Sequence, residues 1–160
     1  MRYLAAIMVT SAMLMTVSCV SPESKSSTQF ELSKDETRIY ESLKQDSDVS
    51  VLHGVDPLTI AKLYVLSLYE SSYDVTYELY TQREGYVAWT KEEDQQIPVE
   101  HRGTKEKIKD IYNNIEDGRF VQTCDYEGYI EYEAEKGKKS FFGMIQDENG
   151  IWKVSFMPIQ

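Results

Sequence analysis

Apolar and polar residues alternate along this chain in four different rhythms. From Leu4 to Val17 fourteen residues pass without a charge. From Val20 to Gln29 apolar residues nearly vanish, from Ile39 to Ile115 they recur at helical spacing, and after Gly118 they fall on every second position. A membrane-spanning helix needs about 20 apolar residues, whereas the core of an export signal needs roughly 7–15, so the first run has the length of a signal. The Ser-rich stretch that follows buries too little apolar surface to offset the entropy of ordering it and reads as a tether.

The helical rhythm opens at Ser33, with Glu36 three residues on, the pattern of a capping box. Ile39, Tyr40 and Leu43 make one apolar stripe, so a short accessory helix is expected over 33–47. Asp56-Pro57 joins an N-cap acid to a proline suited to the first helical position. From Leu58 to Tyr69 apolar residues cover nearly every face, which predicts a core helix. Ser71-Ser72 breaks it, and Tyr73, Tyr77 and Tyr80 stand at i, i+4 and i+7 of a second short helix that Gly85 closes. Val87 and Trp89 suggest an anchor, Thr90 to Glu93 a helix start and Pro98 its stop. Thr104 to Glu116 is amphipathic, with Ile108, Ile111, Tyr112 and Ile115 on one face.

Past Gly118 the period becomes two. Phe120, Cys124, Tyr126, Ile130 and Tyr132 share one parity and Thr123, Asp125, Glu127 and Glu131 the other, which predicts one long half-buried strand with Cys124 as an inert thiol on its apolar face. A basic turn over 136–139, a strand from Ser140 to Gln146, the Asn149-Gly150 turn signal and a strand from Ile151 to Phe156 complete a three-stranded antiparallel meander. One face of such a sheet needs helices to cover it. The expected class is α+β, with N-terminal helices packed on a curved antiparallel sheet, a core over 49–160 and a single domain over 33–160.

Composition narrows the role. At 160 residues and 18.5 kDa one core is expected. A net charge of −10 repels phosphate backbones, so nucleic acid is an unexpected partner. Two Cys and two His without paired spacing give no basis for a metal site, and no cofactor is expected.

The segment Thr16-Val17-Ser18-Cys19, at the end of the apolar run, resembles the lipobox of bacterial lipoproteins, with Thr16 standing where Leu is usual. That resemblance implies a signal peptide over 1–18, a diacylglyceryl group on Cys19, a flexible tether over 19–32, and a chain held through its lipid on the outer face of the cell membrane. It also removes the reactive thiol that a free Cys19 would expose. The whole chain looks like small exported lipoproteins of Gram-positive bacteria.

Three further segments, Asp56 to Tyr64, Tyr73 to Tyr80 and Asp147 to Val154, occur in an order that resembles the nuclear-transport-factor-2-like cone over about Asp56 to Pro158. The resemblance implies a curved sheet around a cavity. Tyr64, Tyr77, Trp89, Tyr126, Phe142 and Trp152 are the aromatics that either line such a cavity, where a small apolar or peptidic ligand would sit, or fill the core. Enzymes of that fold gather acid, His and Tyr groups at the mouth. Here His101 reads as an exposed loop residue, His53 as a structural group, and Asp125, Glu127 and Glu131 as a solvated sheet face. No nucleophile elbow, phosphate loop, zincin or calcium-loop pattern is present. No catalytic residue is therefore expected. The reading is a non-catalytic extracytoplasmic binding or regulatory lipoprotein that meets a ligand or an exported protein, with a small cone-fold isomerase or hydrolase as the alternative.

Overall fold

The capping side chains of Ser33, Asp56, Thr90 and Thr104 each set where a helix begins. In the computed structural model, which describes residues 30–135 and 137–159, the Ser33 hydroxyl accepts from the Glu36 amide at 3.2 Å, and the Glu36 carboxylate accepts from the Ser33 amide at 2.7 Å. This capping box starts α1, Lys34–Asp46, which buries Tyr40 and Leu43. The expected signal peptide, Cys19 and the tether up to Gln29 lie outside the described residues. Phe30 and Leu32, at the expected end of the tether, pack against the core, with the Phe30 ring 4.6 Å from Tyr69 and 4.4 Å from Tyr112.

Asp56 accepts from the amides of Leu58 and Thr59 and opens α2, Pro57–Glu70. Seven residues of α2 are buried, Ile60, Ala61 and Leu63 to Ser67, as its all-round apolar pattern requires. Ser71, at φ 60°, ends α2 in the left-handed conformation, and α3, Tyr73–Leu79, follows at once. A second capping box between Thr90 and Glu93 starts α4, Lys91–Gln95, and Thr104 caps α5, Lys105–Ile115.

Four strands, β1 Arg119–Gln122, β2 Glu127–Glu135, β3 Lys138–Gln146 and β4 Trp152–Ile159, form one antiparallel sheet in sequence order. The class is α+β, as the pattern predicts. The single long strand expected from Phe120 to Tyr132 is instead a hairpin. Thr123 and Cys124 both donate their amides to the Glu127 carbonyl, and the Gln122 amide group holds the Cys124 carbonyl at 2.8 Å, so the chain turns there. Cys124 is consequently exposed at the turn rather than buried on a strand face. The alternation concealed the turn because Phe120 pairs with Ile130 and Gln122 with Gly128, so even-numbered residues share one face in both strands.

That face carries Ile130, Tyr132, Phe142, Met144 and Val154, all buried together with the α2 and α5 side chains. Each fully buried aliphatic or aromatic side chain contributes about 1.5–3 kcal/mol from burial. Where α5 hands over to β1, a Cβ on Gly118 would meet Ile130 Cγ2 at 2.5 Å and the Ile115 carbonyl at 2.7 Å, so only glycine lets helix and sheet approach this closely.

A groove on the open face of the sheet

The opposite face of the sheet is not covered by α2. Tyr129 and Phe141 stand on it with ring centroids 5.0 Å apart and planes at 77°. Gly143 pairs with Tyr129 across β2 and β3, and a Cβ placed on it would fall 2.4 Å from the Ser155 hydroxyl of β4. The missing side chain lets Ser155 close in against β3 beside the aromatic pair.

Two further aromatics complete the groove. The turn from Arg83 to Tyr86, closed by a 3.0 Å backbone hydrogen bond, carries Tyr86 over the strand ends, where its hydroxyl donates to Glu127 Oε1 at 2.5 Å. That bond to a carboxylate holds the phenol's pKa above its ordinary value. Phe156 stacks on Tyr80 at 4.5 Å and meets Trp89 edge-on at 4.6 Å, which fixes its ring. The result is a groove of about 500 Å³ whose walls include Tyr86, Glu127, Tyr129, Phe141, Ser155 and Phe156. Its size is that of a small-ligand site.

The six aromatics singled out in the sequence lie elsewhere, and none lines this groove. Tyr64 and Phe142 meet inside the core with centroids 5.8 Å apart. Tyr77 donates its hydroxyl to the Trp89 carbonyl at 3.2 Å, and both belong to the cluster around Tyr80. Trp152 packs on Phe120 at 4.8 Å, while Tyr126 lies under the Arg83 guanidinium at 4.0 Å. Tyr64, Tyr77 and Phe142 thus pack in the core between the helices and the sheet. Trp89 and Tyr126 each touch one wall of the groove, through Phe156 and Tyr86.

His53 and His101 are exposed and far apart in sequence, His53 just after one 3₁₀ turn and His101 at the end of another. The three strand carboxylates do not act together: Asp125 is on the turn, Glu127 accepts from Tyr86, and Glu131 pairs with Lys139 at 2.9 Å and Arg119 at 3.8 Å. Among the described residues no three His, Cys, Asp or Glu side chains are grouped to hold a metal ion.

Two features escaped the sequence reading. Asp94 and Arg102 form a buried pair at 3.1 Å, in which Arg102 also donates to the Asp94 carbonyl and Trp89 Nε1 donates to Asp94 Oδ1 at 3.1 Å. Nothing local in the sequence marks these two residues as partners. The groove had a signal: adjacent Phe141 and Phe142 put an aromatic on each face of β3, and Gly143 inside a strand marks a missing side chain. No family model, curated protein or solved structure matches the chain.

Proposed function

We propose that this chain is a lipid-anchored extracytoplasmic binding module, non-catalytic, whose ligand sits in the groove on the open face of the sheet. The observation that carries the reading is the groove itself, a preformed depression of about 500 Å³ walled by aromatic rings with a few polar groups. Ser155, the hydroxyl at its floor, has no His or carboxylate hydrogen-bonded to it among the described residues, so it lacks the adjacent base that activates a nucleophile. The anchor rests on the lipobox-like Val17-Ser18-Cys19 and the Ser-rich tether after it. Several acyl chains on Cys19 supply the stable membrane hold that a single chain does not. No helix of the described residues is long and apolar enough to cross a membrane.

The nuclear-transport-factor-2-like cone is the architecture that goes with this reading. Its support is a buried helix that starts at Asp56-Pro57 and packs on an antiparallel sheet, together with register shifts in β2/β3 and β3/β4 of the kind that bend strands. The anchor is tested by labelling cells with a fatty-acid analogue. The protein is expected to take the label and sit in the membrane fraction, and Cys19→Ser to lose both; a Cys19→Ser chain that keeps them refutes the anchor. The binding role is tested by Trp fluorescence during a small-ligand screen. Turnover of a ligand abolished by Ser155→Ala would refute the non-catalytic reading.

A further inference from the structure

Charge inside the groove is one-sided. Of its lining residues only Glu127 is ionisable as an acid at neutral pH, and none is Lys, Arg or His. One Glu127 oxygen accepts from Tyr86, and the carboxylate has no second donor and no ion-pair partner among the described residues. Cations nearby are committed elsewhere. Lys139 holds Glu131 at 2.9 Å, Arg83 lies 4.0 Å over the Tyr126 ring and donates to the Gln146 carbonyl at 3.0 Å, and Lys153 is buried against the Glu78 carbonyl.

We propose that the groove takes an organic ammonium, a cationic head on an apolar body, with the head against Glu127 and the faces of Tyr86, Tyr129 and Phe141. The proposal rests on the groove being the ligand site and names the class of ligand. A carboxylate half-withdrawn from water attracts a cation more strongly than an exposed one does. Aromatic faces carry negative quadrupole density and hold ammonium groups within about 6 Å of the ring centre. Phe156 and Ile145, which also line the groove, offer the apolar body a surface. An anionic ligand would meet the same carboxylate with no cation among the groove's lining residues to bind it, and the chain's net charge of −10 opposes its approach.

The test is calorimetric titration of the full chain in lipid nanodiscs with benzyltrimethylammonium, neutral benzyl alcohol and anionic phenylacetate, with Trp fluorescence followed in parallel because Trp89 touches Phe156. The ammonium is expected to bind at least tenfold tighter than the alcohol, to weaken with added NaCl, and to lose its advantage in Glu127→Gln. Glu131→Gln, on the same face but outside the groove, is expected to keep the preference. Should Glu127→Gln fail to fold, the charge series and its salt dependence on the unaltered chain decide the matter without a variant. Equal binding of all three probes, or preference for phenylacetate, overturns the cation assignment while the groove stands as a binding site. No heat and no fluorescence change with any probe overturns both.

Discussion

The phenolic oxygens of Tyr64 and Tyr80 lie 2.8 Å apart inside the core, and this bond ties α2 to the segment that runs beside β4. Tyr80 forms a parallel bridge with Val154, and the next amide, Thr81, donates to the Val154 carbonyl at 2.9 Å. Burial raises both phenols' pKa values, so both stay protonated and one donates to the other. The rings also meet edge to face at 5.2 Å. The contact thus decides where the loop leading to Tyr86 leaves the sheet, and through it the placement of one wall of the groove.

Tyr64→Phe keeps the ring and removes one hydroxyl, leaving the Tyr80 hydroxyl buried without its partner. A loss of about 1–3 kcal/mol is expected in urea unfolding. Because Tyr64→Phe/Tyr80→Phe leaves no orphan, the double variant is expected to lose at least about 0.5 kcal/mol less than the two single losses together. Strict additivity would mean that the bond contributes nothing to the fold.

The Glu36–Lys62 contact at 2.8 Å joins α1 to α2, with both side chains 13% exposed. Burial pushes the Glu36 carboxyl's pKa up, but the hydrogen bonds from Lys62 and Ser33 outweigh it and the net direction is down from 4.5. A carboxyl with a lowered folded-state pKa stabilises fully above its unfolded value and loses that contribution as pH falls through the folded one. The stability gap between the native chain and Glu36→Gln is therefore expected to be full near pH 7 and to close as the pH falls below 4.5 and through the lowered folded-state pKa. Urea midpoints of both chains across that range read it directly, and a gap that stays constant would place Glu36 outside the linkage.

Local signals with a one-residue mechanism were readable from the sequence, and signals that need two distant residues were not. Ser33/Glu36, Asp56-Pro57 and Thr104 each bond to a backbone two or three residues away, and all three helix starts stand where they were expected. The β1–β2 turn failed because parity carries through it unbroken, so hydrophobic alternation contains no trace of the reversal. The aromatics were readable only as far as their burial, for another reason. A tyrosine at helical spacing announces burial, and Tyr64 and Tyr77 are buried, but spacing does not say whether the ring faces a cavity or another ring. The groove brings together residues distant in sequence, with Gly143 of β3 in register with Tyr129 of β2 and against Ser155 of β4.

Glycine also carries the inner face of the hairpin. A Cβ on Gly128 would come within 2.6 Å of the Phe120 ring and 2.9 Å of the Val121 carbonyl, and the same ring is braced by Trp152 at 4.8 Å. Gly128→Ala is expected to cost about 1–3 kcal/mol by overpacking. Phe120→Leu in the same chain is expected to recover part of the loss by vacating the space. A Gly128→Ala chain as stable as the native one would show that the ring moves freely.

Lys153 offers a test with the opposite pH sign. It lies on β4 opposite Ile145, is 3% exposed, and donates to the Glu78 carbonyl in the last turn of α3. Burial lowers the ammonium's pKa from 10.5, and the neighbouring Asp147 and Glu78 only partly restore it. A base whose folded pKa lies below its unfolded value costs stability wherever both states are charged, and the cost lifts as pH rises through the folded pKa toward 10.5. Lys153→Met removes that cost together with a charge-assisted hydrogen bond of about 1.5–3 kcal/mol, so at pH 7 the two chains are expected to differ by less than that bond alone. Toward pH 10 the native chain is expected to gain on Lys153→Met, while the titrations of its tyrosines cancel in the comparison. Urea midpoints of both chains at pH 7, 8.5 and 10 measure the difference. A flat difference would mean that the ammonium reaches water in solution, and the Lys153 to Glu78 contact would then no longer count among the bonds that fasten α3 to β4.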